Sequence, residues 1–261
     1  MRNNSEELKS KVKQQFGTNA KKYVDSKSHA YGSDLPIIIS WAEPKEYWVV
    51  LDIATGGGHV TKQLSPYVKQ VFATDITIEM LNEAKKFLDQ YVSNVSYIVA
   101  DAERLPFLDE TFDLITCRIA AHHFPNPQNF IGEVSRVLKP GGKFILVDNI
   151  VPEDERIDEF INTLELLRDH SHVRCYKEGE WKSWANNAGL GFIKSQIRKK
   201  TLDYKPWVQR TTTSVDQVLI VKEHIINADE HIQEYCGIKM NQGEIASFHL
   251  DEWMGLFEKN S

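Results

Sequence analysis

The sequence predicts an α/β fold whose centre is a largely parallel β-sheet with helices on both faces. Between Tyr47 and Asn149, short apolar runs alternate with stretches of helical periodicity, which is typical of successive βαβ units. The runs are almost continuously apolar, as expected of parallel strands that are buried on both faces. Together these two observations place a parallel sheet in the middle of the chain.

Five apolar runs predict five parallel strands. They are YWVVLDI (47–53), QVFATDI (70–76), VSYIVAD (95–101), FDLITCRI (112–119) and GGKFILVDN (141–149). Apolar residues at helical spacing fill the intervals, as in Val60, Leu64 and Val68. The clearest helix follows Asn126, a suitable N-cap, and ends at the KPGG segment of 139–142.

The two flanks of this region predict further helices and two late strands. Near the N-terminus, Leu8, Val12 and Phe16 share one helical face, and Gly17 with Thr18 predicts a break before a second short helix. We expect a third helix from about residue 33. Beyond the fifth strand, helices are expected at 152–170, 178–190 and 214–225, with strands at 191–204 and 244–259.

We expect a single domain over 1–261. It divides into an N-terminal helical cover (1–45), a core that carries the parallel sheet (46–150), and a final part with helices and a C-terminal hairpin (151–261).

Composition and charge favour small-molecule chemistry in the cytoplasm. The 261 residues are 41% hydrophobic and 26% charged, with a net charge of -6 and no long Lys/Arg block, which disfavours nucleic acid and anionic lipid as partners. Cys117, Cys175 and Cys236 lack the spacing of a disulfide framework or a zinc ribbon. The polar N-terminus does not resemble a signal peptide, and no apolar run is long enough to span a bilayer. Oligomeric state is left open.

The stretch LDIATGGGHVT (51–61) is the first β-to-α turn, where a parallel sheet brings its backbone close to a ligand. A dinucleotide fingerprint, G-x-G-x-x-G, fails here at its third position, which is His59 in one frame and Thr61 in the other. What remains is D-x-A-x-G-x-G, in which Asp52 precedes three small residues. The small residues of this pattern leave room for a ligand close to the turn, but the failed fingerprint argues against NAD.

The turn resembles motif I of class I S-adenosylmethionine-dependent methyltransferases, in which a glycine often stands where this chain has Ala54. FDLITCRIAAHHF (112–124) and EVSRVLKPGGKFILVD (133–148) are similar to the fourth and fifth strands of the ubiquinone and menaquinone-biosynthesis branch of that class, the type 11 methyltransferases. The resemblance covers about two fifths of the chain. It implies a three-layer Rossmann-like sheet of seven strands, five parallel plus a C-terminal hairpin.

The resemblance also implies which residues bind S-adenosyl-L-methionine. Asp75 would bind the ribose hydroxyls, Ile76 and Met80 would flank the adenine ring, and Asp101 with Ala102 would lie near the adenine amino group. The full set of expected cofactor-binding residues is Asp52, Ala54, Gly56, Gly58, Asp75, Ile76, Met80, Asp101, Ala102, Arg118 and Tyr23. Each acidic residue alone could instead cap a turn, but three carboxylates ending three successive strands need partners.

The methyl acceptor is expected at the end of the fourth strand, where the sequence carries His122 and His123. Adjacent side chains there cannot both point the same way, so one histidine should face the acceptor and the other should be structural. We predict that His123, or else His122, takes a proton from a hydroxyl or an activated ring carbon. The alternative is a histidine that only holds the loop by hydrogen bonds.

Two further regions supply candidate contacts. The polar segment LRDHSHVRCY (167–176) predicts a pocket wall, so His172 and Arg174 are expected to contact substrate. The His-x-His pair of this segment lacks a third ligand at metal spacing, so no metal site is predicted. Trp207, in DYKPWVQR (203–210), is an aromatic lid candidate and is also expected to contact substrate. Among the N-terminal aromatic residues, Tyr23 is expected to close over the cofactor, with Tyr31 a further candidate, whereas Phe16 is expected in the core.

The sequence therefore predicts S-adenosylmethionine-dependent methyl transfer to a small molecule, with C- or O-methylation of a quinol-like or phenolic compound implied by the resemblance. Two alternatives stay open: a non-catalytic protein that binds the same cofactor, and an NAD-dependent oxidoreductase, which the glycine pattern disfavours.

Overall fold

The computed structural model describes residues 2–24, 30, 32–212 and 214–260. Within them, eight strands form one sheet. The strands are β1 (Val49–Ile53), β2 (Gln70–Asp75), β3 (Val95–Val99), β4 (Phe112–Arg118), β5 (Leu138–Ile150), β6 (Leu190–Asp203), β7 (Lys239–Asn241) and β8 (Glu244–Lys259).

The strand order is β3-β2-β1-β4-β5-β8-β6, with β7 paired to β8. The first five strands are parallel, whereas β8 runs antiparallel to both β5 and β6. This arrangement confirms the α/β fold, the five parallel strands and the antiparallel C-terminal pair. The short strand β7 is additional to the seven strands expected; its three residues are exposed, so no apolar alternation marks it in the sequence.

Helices and short turns connect the strands. The helices are α1 (Arg2–Val24), α2 (Asp34–Ala42), α3 (His59–Leu64), α4 (Ile78–Leu88), α5 (Pro127–Val137), α6 (Glu155–Arg168), α7 (Glu178–Asn187), α8 (Tyr204–Val208), α9 (Val215–Ile226) and α10 (Glu230–Tyr235). The short helices α8 and α10 were not expected from the sequence.

The expected break at Gly17 and Thr18 is wrong, because α1 is continuous from Arg2 to Val24. A Cβ atom at Gly17 would lie 3.4 Å from the side chain of Glu79 and 3.7 Å from that of Thr77. Residue 17 therefore lies where α1 crosses the start of α4. Both distances are ordinary van der Waals contacts, so a Cβ would fit at this position.

Apolar side chains fill both faces of the sheet. One core joins Leu35 and Ile38 of α2 to Leu114 of β4. The opposite core joins Phe130 of α5 and Trp181 of α7 to the other face of the strands. A third cluster forms under α6, α8 and α9, against the first half of β8.

This arrangement leaves the carboxyl ends of β1, β2 and β4 accessible on one edge, with α1 lying across them. The sheet order reverses between β1 and β4, and such a point is where open α/β sheets bind ligands. None of the helices in the described part of the chain has the length and apolar character needed to cross a membrane.

Candidate active site

A cleft opens at this edge and encloses about 1020 Å³, its open mouth included. Residues that follow β1, β2, β3 and β4 line it, together with one face of α1. Of the expected cofactor residues, the cleft is lined by Asp52, Ala54, Gly56, Asp75, Ile76, Met80, Asp101, Ala102, Arg118 and Tyr23.

Asp52 ends β1 and anchors the glycine turn that follows. Its buried carboxylate accepts hydrogen bonds from three hydroxyl groups, Oδ2 from Thr55 (2.6 Å) and Thr61 (2.8 Å), and Oδ1 from Thr116 (2.8 Å). Burial raises the pKa of Asp52, although the three hydroxyl groups favour its charged form. The carboxylate thus holds the turn in place from below the cleft.

The turn itself needs residues that accept left-handed backbone. Ala54 has φ 51°, Gly56 has φ 54° and Gly58 has φ 80°. Gly56 lies on the cleft, and the nearest atom to a Cβ there would be a Met80 methyl at 3.6 Å, so the position is open. Gly58 lies outside the lining, because it packs against Leu88, whose Cδ1 would be 2.8 Å from a Cβ.

Gly57 and His59 of this turn also line the cleft, which the sequence did not predict. A Cβ at Gly57 would lie 3.1 Å from the carbonyl oxygen of Tyr23, so the end of α1 lies directly on the turn. His59 lines the cleft, with Nε2 3.3 Å from that same carbonyl oxygen. Three glycines in succession were the available signal for a second close approach.

Asp75 places a second carboxylate in the cleft at the end of β2. Its Oδ2 accepts the backbone N–H of Gly56 (3.2 Å) and its Oδ1 that of Thr77 (2.9 Å). Burial raises the pKa of Asp75 to about 6, against the lowering effect of these two N–H groups. Each oxygen retains a lone pair that a ligand hydroxyl could use.

Asp101 and Ala102 follow β3 at the rim of the cleft, and α1 is tied to them there. Lys9 Nζ donates to Asp101 Oδ2 (2.7 Å) and to Glu103 Oε2 (2.7 Å). Burial alone would lower the pKa of Lys9, but the two carboxylates raise it above its ordinary value. Lys9 and Glu103 were not anticipated, because a pattern of local residues carries no information about a contact 92 positions away.

Arg118 ends β4 and faces the cleft while bound to a buried acid. It donates through Nε and Nη2 to Asp34 at the start of α2. Arg198 of β6 also bonds Asp34 and pairs with Glu252 of β8. Burial would raise the pKa of Asp34, but the two guanidinium groups lower it, so this network fixes the position of Arg118.

His123 faces the cleft, whereas His122 does not. Nδ1 of His123 lies 2.9 Å from the carbonyl oxygen of Ser171, and its ring meets the edge of Phe16 at 5.0 Å between centroids. Burial, reinforced by the charge of His122, lowers the pKa of His123 to about 4. The imidazole is therefore neutral at physiological pH.

His122 turns away from the cleft toward Asp148 of β5. Its Nδ1 is 2.5 Å from Asp148 Oδ1, and its backbone N–H donates to Asp148 Oδ2 at 2.9 Å. Burial would lower the pKa of His122, but the Asp148 carboxylate raises it. The two histidines therefore point in different directions and carry opposite electrostatic shifts.

Aromatic residues of α1 close one side of the cleft. Tyr23 and Phe16 both line it, with ring centroids 5.0 Å apart. The expectation that Phe16 belongs to the core is wrong, because α1 turns that face toward the cleft rather than toward the sheet. Tyr31 lies outside the described residues.

The three expected substrate residues lie outside the cleft lining. His172 is buried behind the histidine pair, with Nε2 3.1 Å from Asn162 Oδ1. Arg174 pairs with Asp158 in a separate shallow groove. Trp207 is buried in the C-terminal core.

Within the described residues, no group of three His, Cys, Asp or Glu side chains is arranged to hold a metal ion.

Comparison with known proteins gives an independent view of the chain. A family model described as "Methyltransferase domain" matches residues 51–146. YcgJ of Bacillus subtilis (strain 168), an uncharacterized methyltransferase, is 40% identical over 237 residues, which cover 90% of this chain and 94% of the relative. The crystal structure of the YcgJ protein has a TM-score of 0.84 at 37% identity, over 87% of this chain and 98% of that one.

The name of another relative, which is similar over a shorter part of the chain, states a reaction. The ubiquinone/menaquinone biosynthesis C-methyltransferase UbiE of Rickettsia typhi is 40% identical over 107 residues. This similarity covers 38% of the present chain and 43% of UbiE.

Proposed function

The chain belongs to the methyltransferase family of these relatives, and we propose that it transfers a methyl group from S-adenosylmethionine to a small-molecule acceptor in the cleft. The observation that carries the proposal is Asp75, a buried carboxylate at the end of β2 that lies beside the open Gly56 turn. The family indicates the reaction class. The position of Asp75 supports a cofactor site at this edge of the sheet.

The residues at this edge fit S-adenosylmethionine in charge and shape. A ribose diol matches the two oxygens of Asp75, each of which has a lone pair left. Ile76 and Met80 offer an apolar flank for the adenine ring, and the turn at Gly56 leaves room for the rest of the molecule. Asp52 would act indirectly, by fixing the turn.

When bound, S-adenosylmethionine supplies a methyl group on a positively charged sulfur, which makes the methyl group electrophilic. The protein then has to align the acceptor with that group and keep water out. Helix α1 contributes to both tasks, because Lys9 ties it to the rim and Phe16 covers the acceptor side.

We assign to His123 the role of proton acceptor. Its Nδ1 must carry the ring hydrogen, because the Ser171 carbonyl can only accept, and Nε2 is therefore unprotonated. The neutral ring is the form that takes a proton from an acceptor hydroxyl or from an activated ring carbon. His122, paired with Asp148, holds the loop that presents His123.

We further propose a quinol-like or phenolic acceptor that undergoes C- or O-methylation. Phe16, Tyr23 and Phe124 give the cleft aromatic walls, which suit a flat ring. The partial similarity to UbiE supports the same class. The net charge of -6 argues against nucleic acid, and three buried free thiols are consistent with a cytoplasmic enzyme.

Two experiments test the proposal. Thermal shift with S-adenosylhomocysteine and with NAD separates the methyltransferase from an oxidoreductase: we expect stabilisation by S-adenosylhomocysteine alone. Transfer of a labelled methyl group into a cell extract, followed by mass spectrometry of the product, separates an enzyme from a non-catalytic binding protein and identifies the acceptor. Stabilisation by NAD alone, or a wild-type protein that labels nothing, would contradict the proposal.

A further inference from the structure

The segment between α6 and α7 contacts both histidines through its backbone. The N–H groups of Val173 and Arg174 donate to the carbonyl oxygen of His122 at 2.9 and 3.0 Å. Two residues earlier, the carbonyl oxygen of Ser171 faces Nδ1 of His123. The polar segment that the sequence suggested as a substrate wall therefore lies behind the histidines and fixes them in place.

We propose that Asp169 is a positioning residue that, through the backbone carbonyl of Ser171, holds His123 in the Nδ1–H form, so that the unprotonated Nε2 is presented to the methyl acceptor. This inference rests on the proposed role of His123 in methyl transfer. The residues that follow α6 would then act on the reaction through His123, without contact to the substrate.

The hydrogen bonds around Ser171 permit only one proton arrangement. The Ser171 hydroxyl donates its hydrogen to Asp169 Oδ1 at 2.6 Å. Toward Nδ1 of His123, 3.3 Å away, the hydroxyl oxygen can therefore act only as an acceptor. The Ser171 carbonyl, 2.9 Å from the same Nδ1, is also an acceptor. Both neighbours of Nδ1 accept, and the ring hydrogen must therefore lie on Nδ1.

Asp169 fixes the turn from which these acceptors project. Its Oδ1 also accepts the backbone N–H of Ser171 at 2.9 Å, and its side chain is buried. Burial would raise the pKa of Asp169, but the positive charges of His123, when protonated, and of Arg168 lower it. An ionised carboxylate accepts both Ser171 donors, whereas an alanine at this position would leave them without this partner.

His172 provides an internal contrast. Asn162 Nδ2 donates to Asp158 Oδ1 at 2.7 Å, which orients the amide so that Asn162 Oδ1 is the acceptor. That oxygen accepts the N–H of Cys175 and lies 3.1 Å from Nε2 of His172, so His172 carries its hydrogen on Nε2. Neighbouring histidines of one cluster are thus expected in opposite tautomers, each set by its acceptor.

Long-range ¹H–¹⁵N NMR of protein labelled at histidine reports which ring nitrogen carries the hydrogen. At pH 7 we expect His123 in the Nδ1–H form and His172 in the Nε2–H form, with the His123 signals assigned by their loss in His123→Gln. Asp169→Ala should move His123 toward the Nε2–H form. Asp169→Asn should restore Nδ1–H, because the amide oxygen still accepts from Ser171.

Ser171→Ala is the matched control, since it removes the hydroxyl but keeps the carbonyl acceptor, and it should leave the tautomer unchanged. Asp169→Ala should also lower labelled methyl transfer into extract by at least about tenfold, while S-adenosylhomocysteine affinity changes by less than about threefold. If Asp169→Ala does not fold, Asp169→Ser replaces it with the same expected shift, because the shorter side chain cannot satisfy both donors.

The inference is overturned if wild-type His123 is found in the Nε2–H form, or if its tautomer is the same in the Asp169→Ala or Asp169→Ser protein. Titration of the same wild-type sample with S-adenosylhomocysteine distinguishes a failure of the positioning role from a failure of the proposed function. A wild-type protein that does not bind S-adenosylhomocysteine contradicts the proposed function, whatever the tautomer. Normal binding with the wrong tautomer contradicts only the positioning role.

Discussion

The two ends of the cleft are assembled in different ways. The end proposed for the cofactor is centred on the tips of β1 and β2, where Asp52 and Asp75 hold the turn at Gly56 by side-chain hydrogen bonds. The end proposed for the methyl acceptor joins three segments that are far apart in sequence: α1 with Phe16, the loop after β4 with His123, and the turn at Ser171. Binding of the cofactor and transfer of the methyl group should therefore respond to different substitutions.

Burial also shifts the pKa values at the two ends in opposite directions. It raises the pKa of Asp75 to about 6 and lowers that of His123 to about 4, because in both cases the neutral form is favoured. Ligand hydroxyl groups would favour the charged form of Asp75. The Ser171 carbonyl orients His123, but its hydrogen bond opposes the lowering of the His123 pKa that burial and the charge of His122 cause.

The largest expected effect is at the acceptor end. His123→Ala removes the proposed proton acceptor and should lower labelled methyl transfer by about 10²- to 10⁴-fold. Affinity for S-adenosylhomocysteine, measured by calorimetry, should stay within about threefold of the wild-type value. His231→Ala, an exposed histidine on α10, is the control and should transfer normally. Unchanged transfer in His123→Ala would remove the distinction between the two ends.

The pH dependence of cofactor binding sharpens the comparison at the other end. A proton on Asp75 competes with the ribose hydroxyls, so affinity for S-adenosylhomocysteine should fall by up to about tenfold per pH unit below about pH 6. Asp75→Asn should be weaker throughout and should lack this dependence. A wild-type affinity that is constant from pH 7.5 to pH 5 would contradict the assignment.

The unliganded protein should show the opposite trend. The pKa of Asp75 in the folded state, about 6, exceeds the ordinary value of 3.8, so the folded state binds the proton more tightly. The contribution of this carboxyl group to stability is therefore complete below about pH 4 and is lost as the pH rises through about 6. Thermal unfolding of the wild type, compared with Asp75→Asn over this range, measures it.

A smaller effect is expected where α1 closes the cofactor end. Lys9→Met keeps the apolar stem but removes the bonds to Asp101 and Glu103, and it should weaken S-adenosylhomocysteine binding by about three- to tenfold. Lys13→Met, an exposed lysine of the same helix, should bind normally. Equal affinities in calorimetry would show that the contact does not help to close the cleft.

The smallest effect concerns the turn itself. Ala54 has a φ of 51°, a conformation that costs a residue with a Cβ roughly 1 kcal/mol and that glycine adopts freely. Ala54→Gly should therefore raise the free energy of unfolding by up to about 1 kcal/mol, with S-adenosylhomocysteine affinity unchanged. A loss of stability in chemical denaturation would show that the alanine methyl group contributes more than the strain costs.

The same contrast explains how much the sequence could predict. The position of strand-end residues such as Asp52, Asp75 and Asp101 could be predicted from the sequence, because parallel strands bring their carboxyl ends to one edge of the sheet. The five strands and their order of occurrence followed from apolar runs. What these residues bind stays a prediction.

Residues whose position depends on long-range packing could not be placed from the sequence. Periodicity placed Phe16 on an apolar face of a helix, but it could not say whether that face would meet the sheet or the cleft. The contact of Lys9 with Asp101 depends on how α1 crosses the sheet edge. Trp207 was expected near substrate as an aromatic lid candidate, yet its ring packs against that of Phe248, with 4.7 Å between the centroids, in a core that only the folded C-terminal region creates.

Titration of S-adenosylhomocysteine into the wild-type protein and into Asp75→Ala tests the central claim most directly. Loss of two hydrogen bonds to a carboxylate should cost about 3 kcal/mol, so the variant should bind about a hundredfold more weakly. Asp89→Ala, an exposed aspartate just after α4, should bind as the wild type does. Equal affinity of Asp75→Ala and wild type, or no binding by either protein, would contradict a cofactor site built on this carboxylate.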